Sequence, residues 1–229
     1  MRTRLRRIDL DYSIEFAQPA FLLLTSKYAV AEALATSLAP LYGINSGDVR
    51  VVESSSLDDI EIKIDLFNRN GQFSFGANSL RIKFKNITSK GDGEIVTKVL
   101  EAALKGMGSF LANLIIRQEV IVSNITYEAI EGPHAIRSYF EGVRFSDYLK
   151  QSNNVGFKVV EFTEKPKRTL ALDISPSWSD EKGVFVTANR FSDLDLTEPI
   201  RDRLNSLIAA IETLLPKLNF NVEQSENWK

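Results

Sequence analysis

His134 is the only histidine among the 229 residues, so a histidine general base, a catalytic triad or an imidazole metal cage would rest on this one side chain. It follows Pro133 at a predicted helix start, where an exposed polar residue is the simpler assignment. The chain has no cysteine, which removes disulfides, thiolate nucleophiles and sulfur-ligated metals together. Metal chemistry would then fall to carboxylates alone, as suits magnesium or calcium. The acidic pairs are Asp58-Asp59, Asp180-Glu181 and Asp193-x-Asp195. The last precedes Thr197, a predicted helix N-cap, and lacks the glycine and distal glutamate of a calcium loop, so it reads as helix-start chemistry. Gly91-Asp-Gly93 has no following Gly-Lys-Ser/Thr, and Gly106-Met-Gly108 falls inside a helical pattern, so neither reads as a phosphate loop. These residues predict no catalytic, metal or cofactor site.

Binding chemistry is easier to place. In Leu80-Arg-Ile-Lys-Phe-Lys, the cations Arg81, Lys83 and Lys85 alternate with apolar residues, giving a basic outward stripe that suits a polyanion or serves as a solvated sheet edge. The corresponding strand of the second half offers Thr187 and Asn189 with one cation, Arg190. Net charge is −2; four arginines stand in the first seven residues, so the rest carries 24 basic against 30 acidic residues. Such a body steers polyanions poorly, and the arginine cluster is expected to be a solvated terminus. Tyr139, Phe145 and Trp228 are the aromatic candidates for contact with a polypeptide, because aromatic side chains dominate contact energy in partner grooves.

Period-two alternation at Ile8, Leu10, Tyr12, Ile14 and Phe16 predicts a strand with one buried face. A helix follows at about 26–41, then strands at about 49–53, 60–67, 72–77 and 80–87, with Asn70-Gly71 marking a hairpin between the second and third of these. A long amphipathic helix closes the first half at about 93–112. The second half repeats the plan with a strand at about 115–130, a helix from about 134, strands at about 157–163, 168–175 and 184–190, and a helix ending near Pro216. The tail from Asn221 is polar and expected to be mobile apart from Trp228.

The halves also share residues. Val49–Leu66 lies without a gap on Phe157–Ile174, with Val51/Val159, Val52/Val160, Glu53/Glu161 and Asp65/Asp173 identical. Ile8–Pro19 matches Val122–Pro133 in pattern. The predicted fold class is α+β: internally duplicated strand-helix-antiparallel sheet-helix units, 1–114 and 115–229, with the helices packed on one face of a sheet that two halves could share. Asp65 and Asp173 are expected at solvated sheet positions.

From Ile125-Thr-Tyr-Glu-Ala129 and Pro133, through the three strands to the long helix and Leu215-Pro-Lys-Leu218-Asn-Phe220, the second half resembles the SecB-like chaperones. That resemblance implies binding of unfolded or extended polypeptide along apolar surface, with no cofactor and no catalysis. The expectation is a cytoplasmic, non-catalytic binding protein, without a signal peptide or membrane span, that self-associates. Two alternatives stay open: a nucleic-acid-binding saddle of the TATA-binding type, and a helix-grip pocket for a lipid or other small molecule.

Overall fold

The computed structural model describes residues 1–142, 156–164, 167–177, 180–195, 197–223 and 226–228. The first half runs β1 (Arg2–Phe16), α1 (Leu23–Leu38), β2 (Val49–Val52), β3 (Glu61–Leu66), β4 (Gly71–Gly76), β5 (Ser79–Ile87) and α2 (Lys90–Leu111). The second runs β6 (Ile116–Ala129), α3 (Pro133–Gly142), β7 (Phe157–Glu164), β8 (Lys167–Pro176), β9 (Gly183–Ser192), α4 (Ile200–Lys217) and β10 (Asn221–Glu223). All ten strands join one sheet in the order β2-β3-β4-β5-β1-β6-β9-β8-β7, with β10 added parallel to the start of β1. The chain is α+β, as its periodicities predict. The two halves meet at the long antiparallel pair β1–β6, and each places its strands outward from that seam.

Alternation decides which face is covered. Tyr12 and Ile14 of β1 pair with Ile82 and Leu80 of β5, and Tyr12 pairs with Ile121 of β6, so these buried side chains share one face. That face forms a single cluster with Val30 and Leu34 of α1, Leu100 and Met107 of α2, Phe140 of α3 and Ile211 of α4. The other face carries half-exposed Asp11, Ser13 and Glu15 along β1.

Several expectations need correction. The arginine cluster is solvated at its side chains, as expected, but its backbone is no free terminus. Arg2–Arg7 belong to β1, where Arg2 reaches Glu223 at 2.5 Å and Arg6 reaches Glu128 at 2.7 Å. A register shift between Leu5 and Arg7 breaks the period-two pattern, which is why alternation alone starts the strand at Ile8. The tail is likewise tied down through Asn221–Glu223. The hairpin at 67–70 exists, but its left-handed residues are Phe67, Asn68 and Arg69, while Gly71 lies in β4. A Cβ on Gly71 would come within 3.1 Å of the Phe84 ring, so close packing selects the glycine there. Helix α4 begins after Pro199, not at Thr197, whose hydroxyl donates to Asp195 at 2.6 Å.

The repeat is looser than its residues suggest. Laying Ile8–Pro19 on Val122–Pro133 sets buried Tyr12 against Thr126, which faces the other side of the sheet; a one-residue slip reverses every side chain. Within the gapless match, Val49 pairs with Ile64 but Phe157 pairs with Ile174 rather than Leu172, a two-residue shift that keeps the faces and moves the register. Asp65 and Asp173 sit on β3 and β8, six strands apart, or roughly 29 Å at the usual strand spacing.

Helix α2 starts with a capping box. Ser89 Oγ accepts from the Asp92 N–H at 3.1 Å, and the Asp92 carboxylate accepts from the Thr88 and Ser89 N–H groups at 2.9 and 3.0 Å. Gly91 and Gly93 therefore lie in a capped first turn. The Thr88 amide first, then the Ser89 hydroxyl and neighbouring groups, hold the Asp92 carboxyl below the usual range. A depressed folded pKa means that this stabilisation is complete above the unfolded value and is lost as pH falls through the folded one. Ser89→Ala is expected to cost about 1 kcal/mol in urea denaturation, and Asp92→Asn to flatten the acid limb of a stability–pH curve. An unchanged acid limb would remove Asp92 from the account.

Two glycines within α2 should respond with opposite signs. A Cβ on Gly106 would lie 2.5 Å from Ser37 Oγ and 3.2 Å from the Ala33 carbonyl oxygen, so α1 and α2 touch there. Gly108 has nothing within 4 Å. Gly106→Ala is expected to lower stability by about 1 to 3 kcal/mol through overpacking. Gly108→Ala is expected to raise it by up to about 1 kcal/mol through helix propensity. Denaturation midpoints moving the same way in both variants would refute this account.

Candidate functional site

The most polar spot in the interior lies where β6, β9 and α4 meet. Glu119 is completely buried; its carboxylate accepts from Arg203 Nη1 and, at 3.2 Å, from the Ser192 hydroxyl. Arg203 Nη1 also approaches the Tyr12 hydroxyl at 3.4 Å. Arg190, the one cation of the strand that corresponds to the basic stripe, turns inward under α4, where Nη1 donates to the Arg203 carbonyl and the Ser206 hydroxyl, both at 2.6 Å. Burial lowers the Arg190 pKa from its ordinary value and raises that of the Tyr12 phenol. Glu119 is occupied by a cation and a hydroxyl, so the cluster reads as an internal clamp between the sheet and α4. Its sequence signal was available: Glu119 shares the buried parity of Ile121, and Arg203 lies four residues before Leu207 on the apolar stripe of α4. Among the described residues, no group of three or more histidine, aspartate or glutamate side chains is arranged to hold a metal ion.

The basic stripe is largely neutralised. Arg81 Nε donates to both oxygens of Asp11, at 2.7 and 3.0 Å, and Lys83 lies 3.9 Å from the same carboxylate. Of the three stripe cations, Lys85 alone is exposed with no ion pair among the described residues. Strand β5 is also no edge, since β4 and β1 flank it. Asp65 is not solvated either. It is 8% exposed, accepting from Gln72 at 2.9 Å and Arg50 at 2.6 Å. Those partners, Gln72 foremost, lower its pKa. Asp173 remains half-exposed, with Lys158 at 3.6 Å.

Of the aromatic candidates, Tyr139 is a packing residue. Its hydroxyl donates to the Leu218 carbonyl at 2.9 Å, and its ring meets Phe140 edge-on at 5.2 Å and Phe220 at 6.1 Å. Burial pushes its pKa up to about 12. Phe145 lies outside the described residues. Trp228 packs partly buried against the core and lines a cavity of about 390 Å³ between α2 and α4. The floor of that cavity is Leu10 of β1 with Ser123 and Ile125 of β6; Val96 and Thr97 of α2 form one wall, and Leu207 and Ile211 of α4 the other.

The open sheet face holds a second apolar feature. Phe162 pairs with Thr169, Thr169 with Phe191, and Phe191 with Val120, which makes a row crossing β7, β8, β9 and β6 on one face. Val160 and Ala171 pair beside it. Phe162 is 59% exposed, Val160 57% and Phe191 38%. The row begins at β7, an eight-residue edge strand whose only sheet neighbour among the described residues is β8. The opposite edge, β2, has four residues, and Tyr28 of α1 donates a hydrogen bond to Glu53 just beyond its end. Alternation could have found the row, because Val160 and Phe162 fall on the face opposite Phe157 and Val159, but the sheet neighbours Phe191 and Val120 are distant in sequence. Across the seam the same face turns charged, with Asp11, Arg81 and Lys83.

No helix among the described residues is long and apolar enough to cross a membrane. No protein-family model matches the sequence, and comparison with curated proteins finds no significant relative.

Proposed function

We propose that this chain is a cytoplasmic, non-catalytic binding protein that holds extended apolar polypeptide, in the manner of the SecB-like chaperones its second half resembles. The observation that carries the reading is the edge strand β7 with exposed Phe162 and Phe191 on the face beside it, in a row that ends at buried Val120. An edge strand offers backbone donors and acceptors to an incoming strand, and an apolar row on the adjoining face takes alternate side chains. Tyr139 is committed to packing, so Phe162, Val160 and Phe191 replace it as contact residues. The same edge suits a second copy of the chain, and self-association through β7 would protect it in the absence of client. A shared ancestor for the two halves is part of this proposal, supported by their common element order. Nucleic acid is the weaker partner, because Asp11 engages Arg81 and Lys83.

The test is a client refolding assay. The purified protein is expected to suppress aggregation of an unfolding client at near-stoichiometric ratio and to leave DNA and RNA migration unchanged at low salt, where electrostatic binding is strongest. Undiminished client aggregation, with no polypeptide copurifying, would sink the reading.

A further inference from the structure

We infer that the cavity between α2 and α4 is a binding site for a small neutral molecule: an apolar body carrying one hydroxyl or carbonyl oxygen that bonds Ser123. The cavity, about 390 Å³, falls within the range of small-ligand sites. Its floor and inner walls are mainly apolar, from Leu10 and Ile125 below to Leu207 and Ile211 on α4, with exposed Glu94 and Asn205 also in the lining. Ser123 interrupts this lining. It projects from β6 on the covered face of the sheet and is 7% exposed. Its register neighbours there are Leu10 and Ala188, and its hydroxyl makes no hydrogen bond among the described residues. The hydroxyl is not sealed in the core; it opens onto the cavity, where it is free to bond a ligand oxygen. The Thr97 hydroxyl shows the contrast, since it donates to the Gly93 carbonyl at 2.9 Å.

The charges select the ligand class. Lys90, Glu94 and Arg201 line the cavity but all three are exposed, and Arg201 stands 3.5 Å from Glu101. A carboxylate seated against Ser123 would lose its hydration on an apolar floor. A neutral hydroxyl or carbonyl meets the serine without that penalty, while its hydrocarbon follows the helix walls. Fatty alcohols, ketones and esters of medium length have this chemistry. This site is separate from the β7 edge and does not rest on polypeptide binding.

Trp228 lines the same cavity and supplies the readout. The chain has two tryptophans, so Trp178→Phe leaves Trp228 as the single emitter. In that background, titration with 1-octanol is expected to shift Trp228 emission saturably. Ser123→Ala should weaken octanol roughly 3- to 10-fold, the range of one neutral hydrogen bond, with the emission of the ligand-free protein unchanged. Octanoate should bind at least tenfold more weakly than octanol at pH 7. The absence of saturable binding, equal octanol affinity in Ser123→Ala, or octanoate binding as tightly as octanol would each overturn the assignment.

Discussion

Replacing Arg203 with methionine is expected to lower the free energy of unfolding by about 3 to 5 kcal/mol, read from urea denaturation. The reason is the partner left behind. Glu119 is completely buried between β1 and β9, and its remaining polar neighbours are the Ser192 hydroxyl at 3.2 Å and the Tyr12 phenol. An interior carboxylate without its cation keeps the whole desolvation cost and loses the attraction that offset it. The double variant Glu119→Leu/Arg203→Met should recover most of the loss, because removing both charges also removes the penalty. Arg190 adds a constraint: it bonds the Arg203 carbonyl and the Ser206 hydroxyl, so α4 keeps one tether to the sheet in either variant. A double variant as unstable as the single one would mean that the residues act through packing rather than charge.

Phe162→Ser is expected to weaken client holding roughly 10- to 100-fold, corresponding to burial of one large apolar side chain. Stability should move by less than about 1 kcal/mol, because Phe162 is 59% exposed on an edge strand and contributes little to the core. This separation of binding from stability gives the variant its value. Arg81→Gln serves as the control on the same face; it breaks the Asp11 pair across the seam and should leave client holding unchanged. Equal client suppression by wild type and Phe162→Ser would remove the β7 row from the function, whatever the protein as a whole proved to bind.

Much of the fold is legible in local pattern because helices and strands announce themselves by period. Alternation at Leu10, Tyr12 and Ile14 marks a half-buried strand, and the stripe at Val96, Val99, Leu100 and Ala103 marks α2, since both periods reflect which side chains must leave water. The errors fall where something non-local intervenes. A register shift hides the start of β1, and a parallel pairing with residues more than two hundred positions away orders Asn221–Glu223. The apparent repeat misleads for a related reason: a match of residue types does not specify which face a residue occupies, and one step of offset exchanges the two faces.

The candidate sites divide in the same way. Sequence alone determined the α+β class and the scarcity of catalytic side chains in a chain with one histidine and no cysteine. These depend on composition and on contacts within a few residues. Only the tertiary structure decided that Asp11 neutralises Arg81, that Arg190 turns inward, and that Phe162 and Phe191 fall in one exposed row. It also decided that Ser123 stands unbonded at the foot of a cavity beside Trp228. Each of these depends on strand order across the sheet, which places residues tens to hundreds of positions apart within bonding distance. Burial then sets what their charges and hydroxyls can do.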